Sequence, residues 1–250
     1  MCLGWLAYAD KTLQRNAPPR PTPQFRIDGI KAFQINPCKV RFQVQYYIDP
    51  SVSQACFIGA YIPNRAAMAD FALNPAGRAP NGVPKGQKYF ADNITFEMSY
   101  VGIDPYTSST IEVVIYDSTA TRRSQVINWG RLWKRFEVQG IHRIYTSSNH
   151  VKFQVQYFID PAYSQACYIG AHVPNRAAAS SSFGYRPAGR IPDGVPKGQK
   201  YFSDNVVVEL IYSGSRPYTS TTLEVSIYNG TRNLAGSIIN WGQTWDASVY

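Results

Sequence analysis

Val40-Arg41-Phe42-Gln43-Val44-Gln45-Tyr46-Tyr47-Ile48, stopped by Asp49-Pro50, is the stretch on which the fold turns. Phe42, Val44, Tyr46 and Ile48 fall on one face of an extended chain, and Arg41, Gln43, Gln45 and Tyr47 on the other. Successive side chains of a strand point to opposite faces, so a period of two predicts a half-buried antiparallel strand. The pattern returns at Ile94, Phe96, Met98 and Tyr100, alternating with Thr95, Glu97 and Ser99. Ala55 to Ile62 reads as a more continuously apolar strand, Thr110 to Tyr116 as another, and Gln125 to Asn128 as the last. With FRIDGI from Phe25 at the start, this makes six or seven short strands and no ten-residue helical pattern, the layout of a β-sandwich.

Everything in that series occurs twice. VKFQVQYFIDP at Val151 to Pro161 answers VRFQVQYYIDP at Val40 to Pro50, and Gly82 to Phe90 (GVPKGQKYF) reappears letter for letter as Gly194 to Phe202. Ile127 to Gly130 (INWG) returns as Ile239 to Gly242. A tandem duplication follows, with units of about 105–110 residues, a common domain size, each able to bury its own core without metals or disulfides. The expected fold class is all-β: two tandem, internally duplicated antiparallel β-sandwich domains, repeat 1 at 25–133 and repeat 2 at 134–250. The layout resembles immunoglobulin-like or fibronectin-like sandwiches at fold level, and a fold alone implies no activity. Trp129 to Phe136 contains no Pro/Gly/Ser linker, which predicts a short, stiff junction.

Composition narrows the partners. Hydrophobic residues make up 44% and aromatic residues 14%, against 16% charged, which excludes a disordered chain. No stretch approaches the ~18 apolar residues of a transmembrane helix. A net charge of +9 favours anionic partners, but Lys and Arg are scattered with no run of five, so nucleic acid is not expected.

Residues 1–24 have no counterpart in the second unit. An apolar start holding Trp5 and Leu6 precedes Ala17-Pro18-Pro19-Arg20-Pro21-Thr22-Pro23, a tract that favours extended polyproline II and serves as a semi-rigid spacer. Ala7-Tyr8-Ala9 has the small-residue look of a signal cleavage site, but the segment is too short and lacks a basic start. The expectation is an arm that docks onto a neighbouring copy or back onto this one.

The stretch from Asn64 to about Gln87 reads as one long loop, closed by Asn81-Gly82 and continued by a turn that leads into a strand. It offers Arg65, Arg78, Lys85 and Lys88 beside Tyr89, repeated as Arg176, Arg190, Lys197 and Lys200 beside Tyr201. Two such loops could hold an anionic polysaccharide with avidity; alternatively the cations bond loop carbonyls and the tyrosines pack at the rim. The run lacks the G-x-x-x-x-G-K-[ST] spacing of a phosphate loop.

A residue that differs between the copies cannot serve an activity that both share. His142, His150 and His172 all lie in the second unit, opposite Lys31, Lys39 and Tyr61, and no G-x-S-x-G elbow or H-E-x-x-H pair accompanies them. The carboxylates kept in both copies are Asp49/Asp160, Asp92/Asp204, Glu97/Glu209 and Glu112/Glu224. Paired carboxylates are what glycoside hydrolysis requires, yet these sit in turns and on polar strand faces. The four cysteines form no C-x-x-C, only Cys56 and Cys167 correspond, and a bridge from Cys38 to Cys56 would be private to the first unit. No calcium-ligand ladder is present, and neither a metal nor a cofactor is expected. Trp129, Trp133, Trp241 and Trp245 are candidates for an inter-domain seam or an assembly surface, and Asn93 and Asn229 begin glycosylation sequons.

These readings point to a non-enzymatic extracellular or cell-surface protein of structural or adhesive type. It would form homo-oligomers or polymers, a filament or surface layer, through its N-terminal arm. A tandem binding module for an anionic polysaccharide or other polyanion is the alternative, and a carboxylate-based hydrolase the third reading.

Overall fold

The computed structural model describes residues 23–63, 65–77, 80–174, 182–190 and 192–246, with 65–67 as backbone alone. Strands fall into two halves that repeat each other. The first holds β1 (Phe25–Asn36), β2 (Lys39–Ile48), β3 (Phe57–Tyr61), β4 (Phe71–Asn74), β5 (Gly86–Lys88), β6 (Thr95–Tyr100), β7 (Tyr106–Tyr116) and β8 (Thr121–Trp133). The second holds β9 (Phe136–Thr146), β10 (His150–Ile159), β11 (Tyr168–His172), β12 (Phe183–Arg186), β13 (Gly198–Lys200), β14 (Val207–Tyr212), β15 (Thr222–Tyr228) and β16 (Asn233–Asn240).

Each half is a sandwich of two antiparallel sheets. In the first, β1-β2-β6-β4 with β5 paired to β2 faces β3-β7-β8; in the second, β9, β10, β12, β13 and β14 face β11-β15-β16. The alternation of β2 sends Val40, Phe42, Val44, Tyr46 and Ile48 into the core, where each is 0–1% exposed. Val151, Phe153, Val155, Tyr157 and Ile159 do the same from β10. Burial of each such side chain is worth about 1.5–3 kcal/mol, so the one face of β2 carries much of its half's stability.

The stretch after β3 differs from the expected loop. Arg65–Asp70 forms a 3-10 helix, and β4 pairs with β6. Four residues among Ala, Gly and Pro are too few to show a period; tertiary packing makes the strand. Phe71 sets its ring against those of Tyr100 and Trp133, at 5.1 and 5.2 Å between centroids. The repeated run does turn into a strand, but one of three residues on the end of β2, followed by a 3-10 turn at Phe90–Asp92, and β6 begins only at Thr95.

Only Lys134 and Arg135 separate β8 from β9. The Arg135 guanidinium lies 2.6 Å from the Asp160 carboxylate, both side chains only 10% exposed, and it donates at 2.7 Å to the Val101 carbonyl of the first half. Lys134 N–H donates to the Pro37 carbonyl, Phe158 of β10 packs into the first core, and Arg232 pairs with Asp104 across the same joint.

Cys38, Cys56 and Cys167 are buried free thiols, so the bridge considered between Cys38 and Cys56 is absent. Burial pushes the Cys38 thiol up to about 12 and that of Cys167 up to about 11. A thiol reagent is therefore expected to leave these three untouched in the native protein and to titrate them on unfolding; fast native labelling of any of them, checked by peptide mapping, would contradict this burial.

Candidate functional site

Several positions of the identical runs Gly82–Phe90 and Gly194–Phe202 have a structural cause. Gly82 and Gly194 adopt left-handed φ of 68° and 70°, with Cys56 or Cys167 backbone where a Cβ would go. Val83 and Val195 are buried and donate at 2.7 Å to the Cys56 and Cys167 carbonyls. The Pro84 and Pro196 carbonyls accept the hydroxyls of Tyr46 and Tyr157 at 2.8 and 2.7 Å. Lys85 and Lys197 donate to the carbonyls of Val52 and Tyr163, 33 and 34 residues earlier in the sequence. Asp92 and Asp204 accept from the amides of Tyr89 and Tyr201 and so cap the 3-10 turns.

The loop cations therefore divide. Lys85 and Lys197 are held against the fold, while Lys88 and Lys200 are half-buried on β5 and β13. Tyr89 and Tyr201 beside them are 57% and 56% exposed. Arg190 is exposed and lines a cavity of about 450 Å³ with Asp193, Gly194 and Asn205. Arg78 and Arg176 lie outside the described residues, as does the side chain of Arg65, and so do Trp5 and Leu6 of the arm.

The tryptophans are brought together in pairs, one pair per half. Trp129 stacks on Trp133 at 5.3 Å and Trp241 on Trp245 at 4.3 Å. Trp133 and Trp245 then meet Phe71 and Phe183 edge-on in equivalent ways, which places each pair in the core of its own half.

Each recurrent carboxylate has local partners. Glu97 accepts from Lys39 at 2.5 Å and Arg41 at 2.8 Å, and Glu209 from Lys152 at 2.7 Å. Hydrogen bonds from those cations hold both glutamates below the usual carboxylate range. Asp49 bonds Ser51, and Asp160 bonds Arg135. Of the two sequons, Asn229 is buried and donates at 2.7 Å to both the Tyr163 hydroxyl and Gln165, whereas Asn93 is exposed.

Glu112 and Glu224 are placed differently, on the outer faces of the three-stranded sheets. There β3 and β7 set Phe57 opposite Tyr116, Gly59 opposite Val114 and Tyr61 opposite Glu112. β11 and β15 set Tyr168 opposite Tyr228, Gly170 opposite Ser226 and His172 opposite Glu224. Tyr61, Pro63, Met68 and Glu112 border a cavity of about 490 Å³; Gly170, His172, Tyr185, Ser226 and Tyr228 border one of about 210 Å³. This placement was hidden from the sequence, because it needs the register of two strands far apart in the chain. The one visible signal was His172 standing against Tyr61.

No family model matches the chain, and no curated protein matches it in sequence. Among solved structures it is similar to a two-domain fibronectin type-III segment of chicken tenascin, at 12% identity and a TM-score of 0.28, over 86% of this chain and 98% of that one. It is similar to domains 5–6 of the S-layer protein SbsC at 9% identity and a TM-score of 0.22, over 90% of this chain and 100% of that one. A β-glucuronidase of glycoside hydrolase family 2 aligns at 12% identity and a TM-score of 0.22, over 92% of this chain but 20% of the enzyme.

Proposed function

We propose that this chain is a non-enzymatic structural or adhesive subunit of the cell surface or extracellular space, which assembles with copies of itself through residues 1–24. The observation that carries this reading is the joint. A buried ion pair, a buried Phe158 in the neighbouring core and a two-residue connection favour two sandwiches acting as one stiff element rather than two tethered modules. The residues kept in both copies support the same reading, since they cap turns, pin loops and fill cores. Deleting residues 1–24 is expected to reduce the assembly state seen by light scattering from polymer or oligomer to monomer. Assembly unchanged by the deletion, or a monomer with and without the arm, would count against the proposal.

A second reading is favoured by Tyr89 and Tyr201, exposed in both halves next to Lys88 and Lys200. In it the two turns bind an anionic polysaccharide together. Lys88→Ala with Lys200→Ala is then expected to weaken retention on a heparin column at least tenfold at low salt. Retention indifferent to both salt and the two substitutions would remove this reading.

A further inference from the structure

The three-stranded sheet of the first half turns an apolar outer face to solvent. Phe57, Gly59 and Tyr61 of β3 stand opposite Tyr116, Val114 and Glu112 of β7, and Ser124 and Val126 of β8 stand opposite Val114 and Glu112. Residues paired in this way share a face. Leu73 lies over Gly59, where a Cβ would stand 2.9 Å from its methyl, and the rings of Phe57 and Tyr116 meet at 5.7 Å. Leu73 is still 40% exposed, Met68 49% and Val126 56%. Glu112, the partner of Val126, also borders the cavity of about 490 Å³ with Met68 and Tyr61, and the Tyr61 hydroxyl engages its carboxylate. Contiguous exposed apolar side chains mark a surface that another chain covers.

The second half lacks this surface. Tyr168, Tyr185 and Ser226 stand in the places of Phe57, Leu73 and Val114, and the hydroxyls of Tyr185 and Tyr228 bond each other at 2.6 Å. Of the apolar set only Val126 has an apolar counterpart, Ile238. The N-terminal arm is likewise present once: Met1–Ala9 carries no charged side chain and offers Met1, Leu3, Trp5, Leu6 and Tyr8. One apolar segment and one apolar face per chain make a one-to-one match.

The start of the described chain indicates whose face is met. Asp49 N–H donates at 2.9 Å to the Gln24 carbonyl, so the β1–β2 ladder still holds the chain at Gln24. Gln24 borders a cavity with Val52, Gln54, Asp117 and Arg122, at the end of the sheet where β7 turns into β8. Ala17 to Pro23 come just before it. A tract that favours polyproline II, at ~3.1 Å per residue, resists the reversal needed to bring Met1–Ala9 back over the sheet of its own half. A neighbouring copy requires no reversal.

We infer that Met1–Ala9 of one copy covers the outer face of the β3-β7-β8 sheet of the next, against Leu73, Val126 and Met68. This rests on the proposal that residues 1–24 carry assembly, and adds the surface that receives them. Val126→Lys and Met68→Lys each put a charge on an exposed position of that face. Each is expected to raise the concentration of half-assembly, followed by light scattering of the full chain, at least tenfold with the thermal unfolding curve retained. Asn128, two residues beyond Val126 on the same face, is replaced by p-benzoylphenylalanine; irradiation is expected to join it to residues 1–9 in a product of dimer mass. If deleting residues 1–24 abolished assembly while both lysine variants assembled like wild type, this face would be the wrong one and the role of the arm would stand. Assembly indifferent to the deletion would remove both. No cross-link to residues 1–9, or one formed within a single chain, would overturn the assignment by itself, a result readable even if a lysine variant failed to fold.

Discussion

Gly194→Ala is expected to destabilise the second half by about 3–5 kcal/mol, the combined cost of a left-handed backbone on a non-glycine residue and of forcing a packed backbone apart. Gly194 sits at φ 70°, and an added methyl would fall onto the Cys167 carbonyl and 2.8 Å from the Cys167 amide nitrogen. Neither neighbour is the free end of a side chain. Both belong to the segment entering β11, whose carbonyl already accepts from Val195. Gly82→Ala meets the same geometry against Cys56 in the first half. Chemical denaturation of the full chain provides the measurement, with Gly230→Ala as control: nothing lies within 4 Å of a methyl there, and a change within about 0.5 kcal/mol is expected. A Gly194→Ala protein as stable as wild type would show that the repeated run is not kept for this contact.

Asp160→Ala is expected to cost about 3–5 kcal/mol, because it strands the buried Arg135 guanidinium without its partner. The loss is expected to be recovered in large part by Arg135→Met combined with Asp160→Leu, which removes both charges and fills the space. Asp49→Ala, the equivalent change in the first half, is expected to do far less: the Asp49 carboxylate is half-buried and accepts from its near neighbours Ser51 and Tyr47, with no buried cation among the described residues to strand. The readout is paired. Denaturation gives the stability, and small-angle scattering gives the relation of the two halves. If Asp160→Ala left both unchanged, the ion pair would be incidental to the joint.

How much was legible beforehand depended on segment length. The nine residues from Val40 to Ile48 carry enough period to fix a strand and its buried face, and the duplication then fixed the second half. FALN at Phe71–Asn74 carries no such signal; it is a strand because Tyr100 and Trp133 give Phe71 a place to pack. Lys85 and Lys197 illustrate the other limit. Their spacing from Tyr89 and Tyr201 was plain, but the carbonyls that hold them, Val52 and Tyr163, come from a distant turn. The row of Gly170, Ser226 and Gly236 was least visible of all, since these residues become neighbours only through the pairing of three strands.

The path of the chain through each sandwich has a mechanical meaning. β1 and β8 finish at the same end, where Gln34 bonds Arg131 and Lys134 bonds the Pro37 carbonyl, so the chain enters each half at one end and leaves at the other. β9 and β16 repeat this, with Arg143 bonded to the Trp241 carbonyl and Asp246 to that of Ser148. Tension applied between the two ends of the chain would thus run along the strands. The β1–β2 and β9–β10 ladders would be loaded in shear, many hydrogen bonds sharing the force at once instead of parting one after another.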